Sequence, residues 1–312
     1  MSEVQIHHGK AELVVPTFEP ETFHAVVTDP PYGLDTLNQA DWDTQIAFDV
    51  DLWRATFETL KPGGWLVAFA HPRTYDCIAG AIRKAGFEIH DMLAWVYSSG
   101  FPRGKSVAPT IERAGGDPAL AEDWKTTLKP ALEPIVLARR PRKGTAGANF
   151  VKHGTGLLNI GANRIGDERR TNTAAGNKPG GKGAYNAARY GMPEGVESKD
   201  VVGRHPANFL VADDIADMHP ALSSYFFVSK PSPAERKEAR DHKTVKPVSL
   251  MEHLVSLVAA PGSHVLDLFA GSGSTGVAAV RVGADFTGIE MSKTDVTTIK
   301  RRTTAAKKAR KG

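Results

Sequence analysis

Cysteine is all but missing from this chain. One thiol, Cys77, among 312 residues excludes an internal disulfide and any zinc site built on cysteines. Long apolar runs are missing as well, since nothing approaches the roughly 20 residues that a membrane helix needs. The first ten residues hold no signal-peptide core. Nor does one sign of charge dominate: 39 Lys and Arg stand against 35 Asp and Glu, a formal charge of +4. That suits a nucleic-acid partner without demanding one. The 11 histidines are not spaced with acids or cysteines as metal ligands, so no metal is expected. A reducing, cytoplasmic setting without a membrane is the expectation, and the length fits one large α/β domain with an insertion, or two domains.

What is present is an alternation of apolar runs and amphipathic stretches. Residues 4–8 and 24–28 read as strands, and 12–18 as a loop or helical turn. Between Asp41 and Leu60, the residues Ile46, Val50, Trp53, Phe57 and Leu60 recur at helical spacing. Lys61-Pro62-Gly63-Gly64 closes that helix. Residues 65–70 read as a buried strand, 73–85 as a helix stopped by Gly86, 87–97 as one long strand or a pair, and 133–138 as another strand. Such alternation predicts a mainly parallel sheet covered on both faces. Trp42, Trp53, Trp65, Trp95 and Trp124 are expected in its core.

The composition shifts between Arg142 and His205, which hold 13 of the 30 glycines and 11 basic against five acidic residues. This predicts an insertion without a large core, mobile around 171–190, serving as a solvated linker or as an arm for a phosphate backbone. Regular pattern resumes at 208–212 and 225–228. A helix then starts at Pro247, followed by a strand at 264–269, a turn at 271–276, a helix at 275–282 and a strand at 285–289. Residues 293–311 carry eight basic side chains and no large apolar face. They read as a frayed, solvated end or as a helix on phosphates.

Two stretches carry chemistry. In Thr28-Asp29-Pro30-Pro31-Tyr32-Gly33 the prolines end a strand at its carboxyl end, where open α/β sheets bind ligands. A carboxylate, a carbonyl and an aromatic ring converge there, a set suited to gripping an amino group on a flat heterocycle. The plainer alternative is a turn in which Asp29 caps and Tyr32 packs. In the second stretch, Asp267 precedes a glycine turn, and Glu290 closes the next strand. Gly271, Gly273 and Gly276 satisfy the dinucleotide fingerprint, which makes a nicotinamide dehydrogenase a rival. Asp267 inside the strand argues instead for a cationic or hydroxylated ligand free of phosphate, and S-adenosylmethionine meets that description.

D-P-P-Y early, K-P before a helix, then D-x-F-x-G-S-G and a glutamate at the next strand end together resemble the amino-methyltransferases of DNA. These methylate adenine N6 or cytosine N4. The order, catalytic motif before cofactor motif, is similar to their β-type group, and the likeness covers about residues 1–140 and 205–291. Four further stretches look familiar from phage and bacterial modification enzymes. They are Ser98-Ser99-Gly100-Phe101-Pro102, Lys129-Pro130-Ala131-Leu132-Glu133-Pro134, His153-Gly154-Thr155-Gly156 and His242-Lys243-Thr244-Val245-Lys246-Pro247.

The resemblance implies a class I S-adenosylmethionine-dependent methyltransferase fold, Rossmann-like α/β, with a mixed seven-stranded sheet and circularly permuted motifs. Residues 1–140 would be the catalytic half, 141–240 a target-recognition insertion, and 241–312 the cofactor half with its basic tail. Asp29, Pro30, Pro31 and Tyr32 would form the catalytic loop, Tyr32 stacking on a base swung out of the duplex. Asp267, Phe269, Gly271, Ser272, Gly273 and Thr275 would line the cofactor pocket, with Glu290 on the ribose and Lys246 and Pro247 at the methionine end. The chain departs from the family at Gly9-Lys10, where Gly-Asp is common and the acid meets the adenine ring. Double-stranded DNA is the implied partner, and adenine N6 is favoured because Asp in the first motif position is commoner among adenine enzymes. A homodimer and a restriction partner stay open. The alternatives are cytosine N4, an RNA or protein amide methyltransferase of the same fold, and a DNA-binding regulator that kept the fold; the intact catalytic loop stands against the last.

Overall fold

The computed structural model describes residues 2–34, 44–98, 100, 106–171, 200–224, 227–229 and 245–310. Its strands are β1 (Val4–His8), β2 (Phe23–Thr28), β3 (Leu60–Phe69), β4 (Glu88–Val96), β5 (Leu132–Arg139), β6 (Ile165–Thr171), β7 (Asp200–Arg204), β8 (Phe209–Ala212), β9 (Phe227–Ser229), β10 (His264–Asp267) and β11 (Asp285–Glu290). Nine of them form one sheet in the order β1-β11-β10-β2-β3-β5-β4-β8-β9, while β6 and β7 pair as a separate antiparallel ribbon. In the large sheet only the pairings of β5 are antiparallel. Strand β5 therefore runs alone against the other eight described strands of that sheet.

The α-helices are α1 (Ala11–Val14), α2 (Val50–Thr59), α3 (Tyr75–Lys84), α4 (Ala108–Arg113), α5 (Ala146–His153), α6 (Asp213–Met218), α7 (Val248–Val258), α8 (Ser274–Val282) and α9 (Lys293–Ala309). Among the described residues, no helix is long and apolar enough to cross a membrane. Successive strand residues face opposite sides of the sheet. Ala25, Val27, Trp65, Val67, Ile135 and Leu137 pack against Leu250, Met251 and Leu254 of α7 and Ala278 of α8. Val26, Leu66, Ala68 and Val136 turn the other way, onto Trp53 of α2 and Ile78 and Ile82 of α3. Burial on both faces is why these strands read as unbroken apolar runs.

Several elements differ from the sequence reading. Among the described residues the sheet has nine strands, because β8 pairs with β4 and carries β9, so the last part of the 141–240 segment widens the sheet. Lys61-Pro62-Gly63-Gly64 follows α2 but lies inside β3 as a bulge, where the register to β2 jumps from Phe23↔Leu60 to Ala25↔Trp65. The Pro62 carbonyl exposed by that bulge accepts from Asn149 Nδ2 at 3.0 Å and Thr155 Oγ1 at 2.5 Å. The familiar His153-Gly154-Thr155-Gly156 stretch thus seals a strand defect, meeting the demand that buried backbone groups be paired.

Residues 293–309 are helical rather than frayed. Val296, Ile299, Thr303 and Ala306 form a buried stripe at helical spacing that is too short in apolar bulk to stand out from the basic residues around it. Trp53 and Trp65 are buried as expected, but Trp124 is 73% exposed, and Trp42 lies outside the described residues. Phe101 and Pro102 of the familiar 98–102 stretch lie outside them too, as do His242, Lys243 and Thr244. So does most of the 171–190 stretch expected to be mobile.

Trp53 anchors α2: it is wholly buried, and its indole N–H donates to the Ala47 carbonyl at 2.8 Å. Trp53→Ala is expected to lower the unfolding free energy by about 3–5 kcal/mol, measured by urea denaturation. An unchanged midpoint and slope contradicts this account of the α2 face.

Candidate active site

Strands β2 and β10 lie side by side and parallel, with Leu266 opposite Val26, so they end together at one edge of the sheet. From that edge the chain leaves β2 toward β3 on one side and leaves β10 toward β11 on the other. Divergence of this kind opens a crevice at the carboxyl ends of the strands. Asp29 stands on one wall of the crevice and Asp267 on the other, with Glu290 at the end of β11 beyond it. The antiparallel β5 starts where its neighbours finish, as the Phe69↔Ile135 pairing requires. Its second residue, Glu133, therefore arrives at the same edge, and Lys246 reaches it from the segment leading into α7.

These side chains form one cluster. Lys246 Nζ donates to Asp29 Oδ2 at 2.6 Å and to Tyr32 Oη at 3.2 Å, and lies 3.1 Å from Glu133 Oε2. Tyr32 Oη is 2.8 Å from Asp29 Oδ1 and 3.0 Å from Glu133 Oε2. Having one proton, the phenol donates to one carboxylate at a time. Burial pushes the Tyr32 hydroxyl well above the ordinary phenol range, and the two carboxylates add to it, so it stays a donor. Burial works against the charge of Lys246, but Asp29 and Glu133 outweigh it and hold the ammonium above its ordinary value. The ammonium also lies 4.7 Å over the Phe69 ring, a favourable cation–π position. Pro30 is buried, Pro31 and Tyr32 half-buried, and the Tyr32 ring stands 6.2 Å from the His71 ring at 42°.

Across the crevice lies the glycine turn. Gly271 and Gly273 have φ of 49° and 84°, a left-handed backbone that L side chains resist. A β-carbon on Gly273 would also meet Ile299 of α9 at 3.0 Å. The Gly271 amide donates to Glu290 Oε2 at 2.8 Å and the Ser292 amide to Oε1 at 2.7 Å, so the Glu290 carboxylate is fixed by backbone on both oxygens. Ser272 and Thr275 are buried, Phe269 is half-buried, and Pro247 is the N-cap of α7. Gly9 donates to the Glu290 carbonyl at 3.0 Å, which brings the departing Gly9-Lys10 pair beside this pocket.

Asp267 is only 2% exposed and accepts from the Phe269 amide at 3.1 Å. Burial pushes its carboxyl up to about 6; the Thr275 hydroxyl and the Phe269 amide pull the other way, while the nearby Asp29 adds to the rise. The Thr28 hydroxyl faces the same carboxyl but sits outside hydrogen-bonding geometry.

Two residues of the site went unassigned in the sequence. Glu133 stood in a stretch that drew attention only for its likeness to other chains. Arg302, 3% exposed, donates from α9 to the Ser272 carbonyl at 2.7 Å and to its hydroxyl at 3.1 Å, bracing the turn. The available signal was its place in the buried stripe between Ile299 and Ala306.

The fold and site define a doubly wound α/β protein with a crevice across the ends of β10 and β11, beside a second acidic corner. The chain belongs to the DNA methylase family of N6/N4 methyltransferases, which matches residues 23–301. It is similar to the type II methyltransferase M.HindIII of Haemophilus influenzae, 23% identical over 333 residues, spanning 91% of this chain and 90% of that protein. Among solved structures it resembles M1.HpyAVI in complex with SAM, with a TM-score of 0.50 at 20% identity, over 96% of this chain and 98% of that one. It also resembles the PvuII DNA methyltransferase, which is cytosine-N4-specific, with a TM-score of 0.55 at 16% identity, over 97% and 86% of the two chains. The architecture is that of the class I methyltransferases.

The folded protein holds the Asp267 proton more tightly than the unfolded chain, where the value is 3.8. This group therefore favours folding at low pH and loses that contribution as pH rises through about 6. Asp267→Asn is expected to be more stable than the parent at pH 8, with the advantage vanishing near pH 4, by urea unfolding at both values. A variant less stable at both contradicts the burial argument.

Proposed function

We propose that this protein transfers a methyl group from S-adenosylmethionine to the exocyclic amine of a base in double-stranded DNA, with adenine N6 as the favoured acceptor. The observation that carries this reading is the juxtaposition of the Asp29 corner and the Asp267–Glu290 pocket at the ends of adjacent strands. The donor set fits the cofactor. A carboxylate whose charged form is penalised by burial gains from a cation or hydroxyl donors beside it and loses from a pyrophosphate, and a strand-end glutamate suits a ribose. Asp267, Phe269, Gly271, Ser272, Gly273, Thr275 and Glu290 would hold that nucleoside, with Lys246 and Pro247 bordering it. When bound, it supplies an electrophilic methyl on a sulfonium.

The amine of a nucleobase is conjugated with its ring and is a poor nucleophile. Asp29 and the Pro30 carbonyl each accept one of its N–H groups, which favours a pyramidal nitrogen with its lone pair turned toward the donor methyl. As the methyl's bond to nitrogen formed and its bond to sulfur broke, leaving a neutral thioether, the Asp29 carboxylate would stabilise the positive charge growing on nitrogen, and the acidic product ammonium would lose its proton to water. A base inside a duplex is out of reach, so the target leaves the stack. Tyr32 offers a ring for it, and stacking of this kind is worth about 1–3 kcal/mol per base.

Target recognition falls to residues 141–240 in this reading. The β6–β7 ribbon carries Arg164, Arg169, Arg170 and Arg204 in or beside its strands, and a two-stranded ribbon fits the major groove. The preference for adenine rests on Asp29 in the first motif position.

Asp29→Ala is expected to abolish methyl transfer from labelled cofactor to duplex DNA while cofactor binding by calorimetry persists. Normal turnover by this variant removes Asp29 from the mechanism. Nucleoside analysis of DNA treated with the parent protein is expected to yield N6-methyladenine; N4-methylcytosine in its place overturns the base assignment alone.

A further inference from the structure

We infer that Glu133 is a positioning residue for methyl transfer: it is the second acceptor to which Lys246 and Tyr32 turn when the target amine takes possession of Asp29. The inference rests on the reading of Asp29 as the residue that grips that amine.

Both oxygens of Asp29 are already engaged, Oδ1 by the Tyr32 hydroxyl at 2.8 Å and Oδ2 by Lys246 at 2.6 Å. An incoming N–H has to compete with these donors. Lys246 has three donors and no acceptor, and its side chain is only 11% exposed. Taking Asp29 from it would strand a buried charge, which is far costlier than losing a surface pair. Glu133 removes that difficulty. Its Oε2 already lies 3.1 Å from Lys246 Nζ and 3.0 Å from Tyr32 Oη. The phenolic proton can swing from one carboxylate to the other without a net loss of hydrogen bonds, and the ammonium keeps its bond to Glu133 as its hold on Asp29 loosens.

Charge points in the same direction. One ammonium facing two carboxylates leaves a surplus negative charge in a site where Glu133 is 17% and Asp29 22% exposed. A pair kept only for stability needs one carboxylate. The surplus matches the positive charge that appears on the amine during the reaction, when the ammonium is held by Glu133 and Asp29 is left to the substrate.

The test compares the parent protein with Glu133→Ala, Glu133→Gln and the double variant Glu133→Ala/Lys246→Met. It follows methyl transfer to duplex DNA, calorimetric cofactor affinity and thermal unfolding. Glu133→Ala is expected to lower kcat about 10²-fold, with KM for DNA and cofactor affinity unchanged. Glu133→Gln keeps an acceptor oxygen without the charge and should lose less. Removing the competing ammonium should make the double variant faster than Glu133→Ala, a recovery that a merely structural Glu133 does not produce. Parental kcat in Glu133→Ala overturns the inference, as does a double variant no faster than the single one, or a loss confined to KM or to folding. A parent protein that methylates no DNA overturns the functional reading itself; methylation by the parent with any of those failures overturns this inference alone.

Discussion

The ammonium of Lys246 is the point on which the Asp29 edge of the sheet depends. A nearly buried cation is tolerated only where anions surround it, and here Asp29, Glu133 and the Tyr32 oxygen all lie within 3.2 Å of it. That one requirement ties together three segments far apart in the chain: the proline turn after β2, the start of β5 and the residue before α7. It also explains why β5 must run against its neighbours. A parallel strand in that position would present its carboxyl end to the crevice, and Glu133, its second residue, would lie at the far edge of the sheet.

The opposite wall obeys a different constraint, close approach of backbone. Gly273 is held so near α9 that a β-carbon would crowd Ile299 at 3.0 Å, and the Arg302 guanidinium braces the Ser272 carbonyl from the same helix. The basic tail is thus part of the turn's scaffold, although most of its charges remain exposed. Glu290 completes the arrangement by accepting from the amides of Gly271 and Ser292. Turn, strand end and helix are locked to one another before any ligand arrives, which lowers the ordering cost of binding.

Much of this was legible in the sequence because it is local. The proline pair after 24–28, the glycine run after 264–267 and the glutamate closing 285–290 each announce a strand end within a few residues, and adjacent strand ends are where such sheets work. What escaped detection is what only the tertiary structure defines. Glu133 matters because a strand is reversed, and nothing in residues 132–139 marks direction. Arg302 is buried because its stripe faces β1 and the glycine turn, and a lone arginine among eight basic residues of the tail carries no sign of that. The Lys61-Pro62-Gly63-Gly64 bulge read as a terminator because its partners, Asn149 and Thr155, come from nearly 90 residues away.

The two walls are also electrically linked. A minor part of what raises the Asp267 carboxyl is the charge on Asp29, so the Asp29 corner and the glycine turn are coupled through charge. A cation bound beside Asp267 relieves that repulsion and favours the ionised form of its carboxyl. A donor amine on Asp29, drawing on the same negative charge, acts in the same sense from the other side. Neutralising charge at either wall therefore lessens the repulsion felt at the other, with no change of backbone required.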